Sequence, residues 1–234
     1  MDGGPQAAVA ARVPGAAGLG LLPPPRATRV PAELLADAAW TAERVTALGA
    51  RYRSSDRRVL ATLWWYSASA VLLTPVAAGL ATARPLSARL ADTTLYEGGG
   101  VLLAGVSSAA AGDDPAGELR EALGSAVAAV AAAGGVRERP LWAVAADSLA
   151  GRLLAVGRAL GDIGTVTALA APVAAAVGHP MPVPRYTDVG GTRFVRRASC
   201  CLLVRLPGQP VCTACPARPP AHRRLLLEDA AGPW

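Results

Sequence analysis

The sequence predicts an α+β fold: a mainly helical core, short β-hairpins and a small C-terminal cysteine-rich segment. Three observations predict it. Long alanine- and leucine-rich stretches between residues 30 and 180 repeat at helical spacing and carry recognisable caps. Two short stretches, around 93–106 and 186–199, instead alternate around glycine turns. All four cysteines, Cys200, Cys201, Cys212 and Cys215, fall within one short window near the end.

Residues 1–29 are rich in Gly, Ala and Pro and end in Pro23-Pro24-Pro25, a composition that predicts a disordered leader. The mainly helical region is expected over 30–185. Pro31 suits a first helical turn, and Leu34, Leu35, Ala38, Ala39, Val45 and Leu48 recur at helical spacing up to a stop at Gly49. Ser54-Ser55-Asp56 offers an N-cap for a helix from about 56 to 74, with Pro75 as its stop or kink.

Thr93–Glu97, Gly98-Gly99-Gly100 and Val101–Val106 read as strand, turn and strand. The glycines are not a nucleotide loop. Leu103 stands where the last glycine of G-x-G-x-x-G is needed, and no Lys-Ser/Thr pair follows. Asp113-Asp114-Pro115 opens a helix that stops at Gly134-Gly135. Further helices are expected from about Pro140 to Leu160 and from Ile163 to Val177, the second capped by Asp162 and kinked at Pro172. Asp188-Val189-Gly190-Gly191 turns a hairpin that delivers the cysteines, and the tail 219–229 forms one short helix.

Length and charge narrow the function. A chain of 234 residues can bury a sizeable core. It is 52% hydrophobic but only 4% aromatic, with alanine the largest part of the apolar fraction. Every basic residue is arginine and asparagine is absent, a bias that looks like a GC-rich genome. The net charge of +6 is localised: from Arg193 onward seven arginines face two acidic residues, a balance of +5 that leaves +1 for everything before. Nucleic acid is not the expected partner. Phe194 is the only ring near these arginines before Trp234, and no helix-turn-helix is recognisable.

Val59–Ala83 carries no formal charge over 25 residues, long enough to span a bilayer. Its Ala, Ser and Thr content and Pro75 favour a buried helix, with loose peripheral membrane association expected rather than insertion. The acidic, turn-rich start lacks the features of a secretory signal, and clustered thiols suit a reducing compartment, so a cytoplasmic location is expected.

The cysteines are spaced Cys-Cys-x10-Cys-x2-Cys. A Cys-x-x-Cys pair can point both sulfurs at one metal from a tight turn. Adjacent side chains on a strand point to opposite faces, so Cys200-Cys201 requires an irregular backbone or a cluster with more than one metal atom. Four thiolates match the ligand count of a 2Fe-2S cluster or of a Cys-only zinc site. Two disulfides fit less well, because disulfide-built domains are usually short and secreted. His222 and His179 read as surface or capping residues.

Arg197-Ala198-Ser199-Cys200-Cys201-Leu202, Arg205-Leu206-Pro207-Gly208 and Cys212-Thr213-Ala214-Cys215-Pro216 together resemble the C-terminal signature of FhuF-type ferric siderophore reductases. The close likeness covers roughly the last forty residues. It implies a 2Fe-2S cluster on Cys200, Cys201, Cys212 and Cys215, with 186–234 as the cluster-binding segment and 30–185 as the substrate-side domain. It implies one-electron reduction of a ferric siderophore, fed by an external ferredoxin-like or other reductase donor. Arg196, Arg197 and Arg205 are candidates for tuning the potential or attracting an anionic substrate. Ser199 and the backbone N–H groups of 201–205 are candidate donors to sulfur. The competing expectation is a non-catalytic iron–sulfur or zinc-binding sensor or structural module.

Overall fold

The structure, a computed structural model, describes residues 4–232. It is 55% helical with 12% strand in short antiparallel sheets, the α+β class with a mainly helical core. In chain order its elements are α1 (Pro5–Ala10), β1 (Thr28–Pro31), α2 (Ala38–Tyr52), α3 (Arg57–Ala81), β2 (Thr93–Gly98) and β3 (Val101–Ser107). They continue with α4 (Pro115–Gly134), α5 (Glu138–Leu160), α6 (Ile163–Ala168), α7 (Ala170–Val177), β4 (Tyr186–Val189), β5 (Thr192–Val195) and α8 (Pro220–Ala231).

Local chemistry sets most of these boundaries. The carboxylates of Asp37, Asp56, Asp114 and Asp162 accept from the first free N–H groups of α2, α3, α4 and α6. Gly99 and Gly100, at φ +60° and +75°, close the β2–β3 hairpin with a two-residue turn that requires left-handed backbone at both positions. Gly190 and Gly191 do the same for β4–β5. The first sheet has the order β1-β2-β3, all antiparallel, with Val30 opposite Leu95 and Leu95 opposite Gly105.

Helix α3 is the central element. It packs against α2, α4, α5 and β3 and is buried on nearly every side. Trp65 is fully buried, and its indole N–H donates to the Leu141 carbonyl of α5 at 2.8 Å. The hydroxyls of Ser69 and Ser148 meet at 2.8 Å across the same seam. This helix is long and apolar enough to cross a membrane, but 78% of its most apolar window is buried against the rest of the protein, the pattern of a core helix.

Several expectations are corrected. The expected disordered leader is packed instead, apart from residues 1–3, which lie outside the described residues. Val9, Val13 and Leu21 join the core, and the buried Gln6 amide donates to the carbonyls of Leu21 and Gly105 at 2.8 Å each. Its oxygen accepts from the Ser107 N–H at 2.6 Å. A side chain with both donor and acceptor ties this segment to β3, which composition alone does not foresee.

Pro31 ends β1 rather than opening a helix; a 3₁₀ turn follows over Ala32–Ala36. Gly49 does not stop α2. It lies inside it because a Cβ there would meet the Ser54 carbonyl oxygen at 2.8 Å, and the helix ends at Arg53 in left-handed backbone.

Pro75 does not stop α3, which runs six residues further to Ala81. Proline removes the N–H that would bond the Val71 carbonyl. That oxygen lies against β3 instead, where a Cβ on Gly105 would approach it to 2.9 Å. The stretch 163–177 is two helices parted at Leu169, with Pro172 in the first turn of the second.

Candidate functional site

The β4–β5 hairpin is fastened to the helical body by three contacts. The Tyr186 hydroxyl donates to the Ala150 carbonyl of α5 at 3.1 Å. Arg158 of α5 donates to the Arg193 carbonyl at 2.9 Å. Arg193 binds Asp188 through two bonds of 2.8 Å and donates a third, also 2.8 Å, to Thr167 of α6. The chain leaving β5 therefore passes over α5 in a fixed position.

There it meets Asp147, a carboxylate buried in the middle of α5. Asp147 accepts from the N–H groups of Ala198 at 2.8 Å and Ser199 at 3.0 Å. Burial pushes its carboxyl above the ordinary range, and these two N–H groups and Arg197 oppose that. The Arg197 side chain is 8% exposed, and its guanidinium lies over the Tyr66 ring of α3 at 4.7 Å. Burial works against its charge, while Tyr66 and the Cys201 and Cys212 sulfurs outweigh that and hold its pKa above the usual value. Its Nη1 points at the sulfurs of Cys201, 3.8 Å, and Cys212, 3.6 Å. Its buried Nε and Nη2 have no hydrogen-bond partner.

The four cysteines are free thiols, with Cys201 and Cys215 buried and Cys200 and Cys212 half-buried. Past Ser199 the backbone is irregular, with Leu202 at φ +63° and a 3₁₀ turn over Leu203–Arg205. Cys200 and Cys201 do not converge on one point here. Cys200 meets Cys215 at 3.8 Å between sulfurs and accepts the Leu202 N–H at 3.3 Å, while Cys201 faces Arg197.

The Cys-x-x-Cys turn is closed by the Cys215 N–H on the Cys212 carbonyl at 3.1 Å. Arg218 donates to the carbonyls of Cys212 and Val211, and Arg223 donates to that of Cys215 at 3.4 Å. Burial pushes the Cys200 and Cys212 thiols up, with Arg197 opposing it at Cys212. Burial also acts against the Cys215 thiolate. The Ala217 N–H, the Cys200 and Cys212 thiols and Arg197 outweigh it, and this thiol lies below its ordinary value.

Among the described residues no group of three or more His, Cys, Asp or Glu side chains is arranged to hold a metal ion. The donor set nevertheless fits one in two respects. Thiolates about 2.3 Å from a shared tetrahedral metal lie about 3.8 Å apart, the separation of Cys200 and Cys215. The second is Arg197, a buried cation whose Nε pairs with Asp147 at 3.7 Å, whose Nη1 points at Cys201 and Cys212 and whose Nη2 has no hydrogen-bond partner, which suits an anionic group bound by these sulfurs.

The sequence-predicted arginines separate. Arg197 is at the centre, Arg196 is exposed just past the end of β5, and Arg205 is exposed at the end of the 3₁₀ turn. Of the expected donors to sulfur, the Leu202 N–H does reach one, whereas the Ser199 N–H is taken by Asp147. His179 and His222 are exposed. Asp147, Tyr66, Arg218 and Arg223 were not singled out by spacing. The available signal for Asp147 was a lone carboxylate on the apolar stripe of a helix.

No family model, curated protein or solved structure matches the chain. The likeness to FhuF-type reductases stands on the cysteine-region residues alone.

Proposed function

We propose that the protein is a ferric siderophore reductase that holds a 2Fe-2S cluster on Cys200, Cys201, Cys212 and Cys215. The observation that carries this reading is the arrangement of the thiols. Cys200 and Cys215 approach to 3.8 Å, and Cys201 and Cys212 flank the buried Arg197 guanidinium. When bound, such a cluster supplies a one-electron relay.

The chain's own residues supply the setting. Arg197 places a desolvated positive charge beside two of the sulfurs, which favours the more negative, reduced state. Asp147 fixes the backbone that presents Cys200 and Cys201, and Arg218 and Arg223 fix the turn that presents Cys212 and Cys215. No acid, base or nucleophile is required. A cluster held there would accept one electron from a ferredoxin-like protein or another one-electron reductase and would supply one to Fe(III) in the chelate. The resulting Fe(II) is held far less tightly by hard oxygen ligands, which take protons from solvent as the metal departs. A cytoplasmic setting, with loose contact at the inner face of a membrane, goes with this reading because thiols stay reduced there.

The test is an anaerobic visible and EPR spectrum before and after dithionite, followed by addition of one equivalent of a ferric siderophore. Thiolate-to-iron bands that bleach on reduction, a rhombic spin-half signal, and recovery of the bands as Fe(II) appears are the expected results. A colourless protein with one tightly bound zinc would instead make the C-terminal segment a structural or sensing module.

A further inference from the structure

Two cavities of about 560 and 230 Å³ lie between the β4–β5 hairpin and α8. Both are bordered by Thr187, Arg196, Arg223 and Leu227, so they are two parts of one cleft. The inner part reaches Arg197 and also Ala214 and Pro216, the neighbours of Cys215. The cleft thus runs from solvent to the cysteine turn. Its size is within the range of small-molecule sites, about 300–1,000 Å³.

The charges lining it do not cancel. Asp188 is fully engaged by Arg193, and Glu228 pairs with Arg224 at 2.9 Å. Arg185 and Arg196 have no carboxylate partner among the described residues, and Arg223 has only the Cys215 carbonyl. Arg185 and Arg196 also face each other across the hairpin, one step beyond the Tyr186–Val195 pair, with the Arg196 N–H on the Arg185 carbonyl at 2.8 Å. Like charges directly opposite on paired strands destabilise the sheet. A bound anion removes that penalty.

We propose that this cleft is the substrate site and that it selects ferric chelates of net negative charge, of the tris-catecholate class, over neutral trihydroxamate chelates. The proposal rests on the ferric-reductase reading of the cysteine site. Arg185, Arg196 and Arg223 contact the anionic oxygens, and the chelate lies beside the Cys215 turn. A concave site of this size favours a small molecule over the surface of an acidic protein.

Gallium(III) chelates test the cleft separately from the redox reading, because they copy the ferric complexes in charge and shape but do not accept an electron. Binding of a trianionic gallium tris-catecholamide and of a neutral gallium trihydroxamate is measured by calorimetry on the full chain, as isolated and after cluster reconstitution. The tris-catecholamide is expected to bind at least about tenfold more tightly, with affinity falling as salt rises. Arg185→Gln and Arg196→Gln are each expected to weaken it about three- to tenfold, with unchanged or raised Tm because the facing cations are relieved. Equal affinity for the two chelates would overturn the proposal. So would unchanged tris-catecholamide binding in both variants, including the case where they lose only binding of an acidic ferredoxin. Selective gallium binding without any reduction of the ferric analogue would leave the cleft assigned and the reductase reading refuted.

Discussion

The carboxylate of Asp147 lies 3.7 Å from the Arg197 guanidinium, and both side chains are nearly inaccessible to water. Asp147 belongs to the helical body and Arg197 to the loop that leads into the cysteines. One buried pair therefore couples the scaffold to the site, and the same carboxylate takes two backbone N–H groups from that loop. A charge pair this dry is destabilising to break from either side, because the remaining ion has no water to turn to.

Asp147→Asn is expected to destabilise the protein by about 3 kcal/mol, since the amide offers one neutral oxygen where two N–H groups and a cation need acceptors. Urea unfolding measures the loss, and hydrogen exchange locates it at the amides of Ala198 and Ser199. In a double-mutant cycle with Arg197→Gln the coupling is expected to exceed about 1 kcal/mol. Strictly additive effects would mean that the pair does not interact.

Gln6→Ala leaves two carbonyls and one N–H group buried without partners, so a loss of about 3 kcal/mol is expected. A disordered leader predicts no change in the urea midpoint.

Gly105→Ala drives a Cβ to 2.9 Å from the Val71 carbonyl oxygen, which sits on a rigid helix and cannot yield freely. A fall in stability of about 1–3 kcal/mol is expected, read as a lower Tm. Pro75→Ala restores a donor for the Val71 oxygen and is expected to leave Tm nearly unchanged.

Burial pushes the Tyr186 hydroxyl up to about 12, with Arg193 opposing it. The fold thus prefers the protonated phenol. That preference contributes fully below pH 10, the ordinary tyrosine value, and is lost as pH rises through about 12. Tyr186→Phe gives up the bond to Ala150 at neutral pH, a cost of about 1 kcal/mol, and its stability is expected to fall less steeply over that pH window. Parallel slopes for the two proteins would remove Tyr186 from the account.

Much of the helical layout was legible because its signals are local. Asp56, Asp114 and Asp162 cap helices from within a few residues, and Gly99-Gly100 closes a hairpin by its own backbone freedom. What the sequence hid is non-local. Gln6 acts on residues about a hundred positions away, and Thr28–Pro31 becomes a strand only because β2 offers it an edge. Pro75 ends a helix by local rules, yet burial on all sides and the close approach of Gly105 carry α3 through it. The same division holds at the cysteines. Their spacing is visible, but the carboxylate that fixes their loop lies 51 residues before Ala198, marked only as a lone acid in an alanine-rich helix.

The order of the chain gives the Asp147 contact a consequence for biosynthesis. Translation delivers α3 and α5, and with them Tyr66 and Asp147, before any of the four thiols is made. The cysteine loop then closes onto a scaffold that already exists. Any group held by these thiols would thus be loaded late, onto a helical body that has already formed.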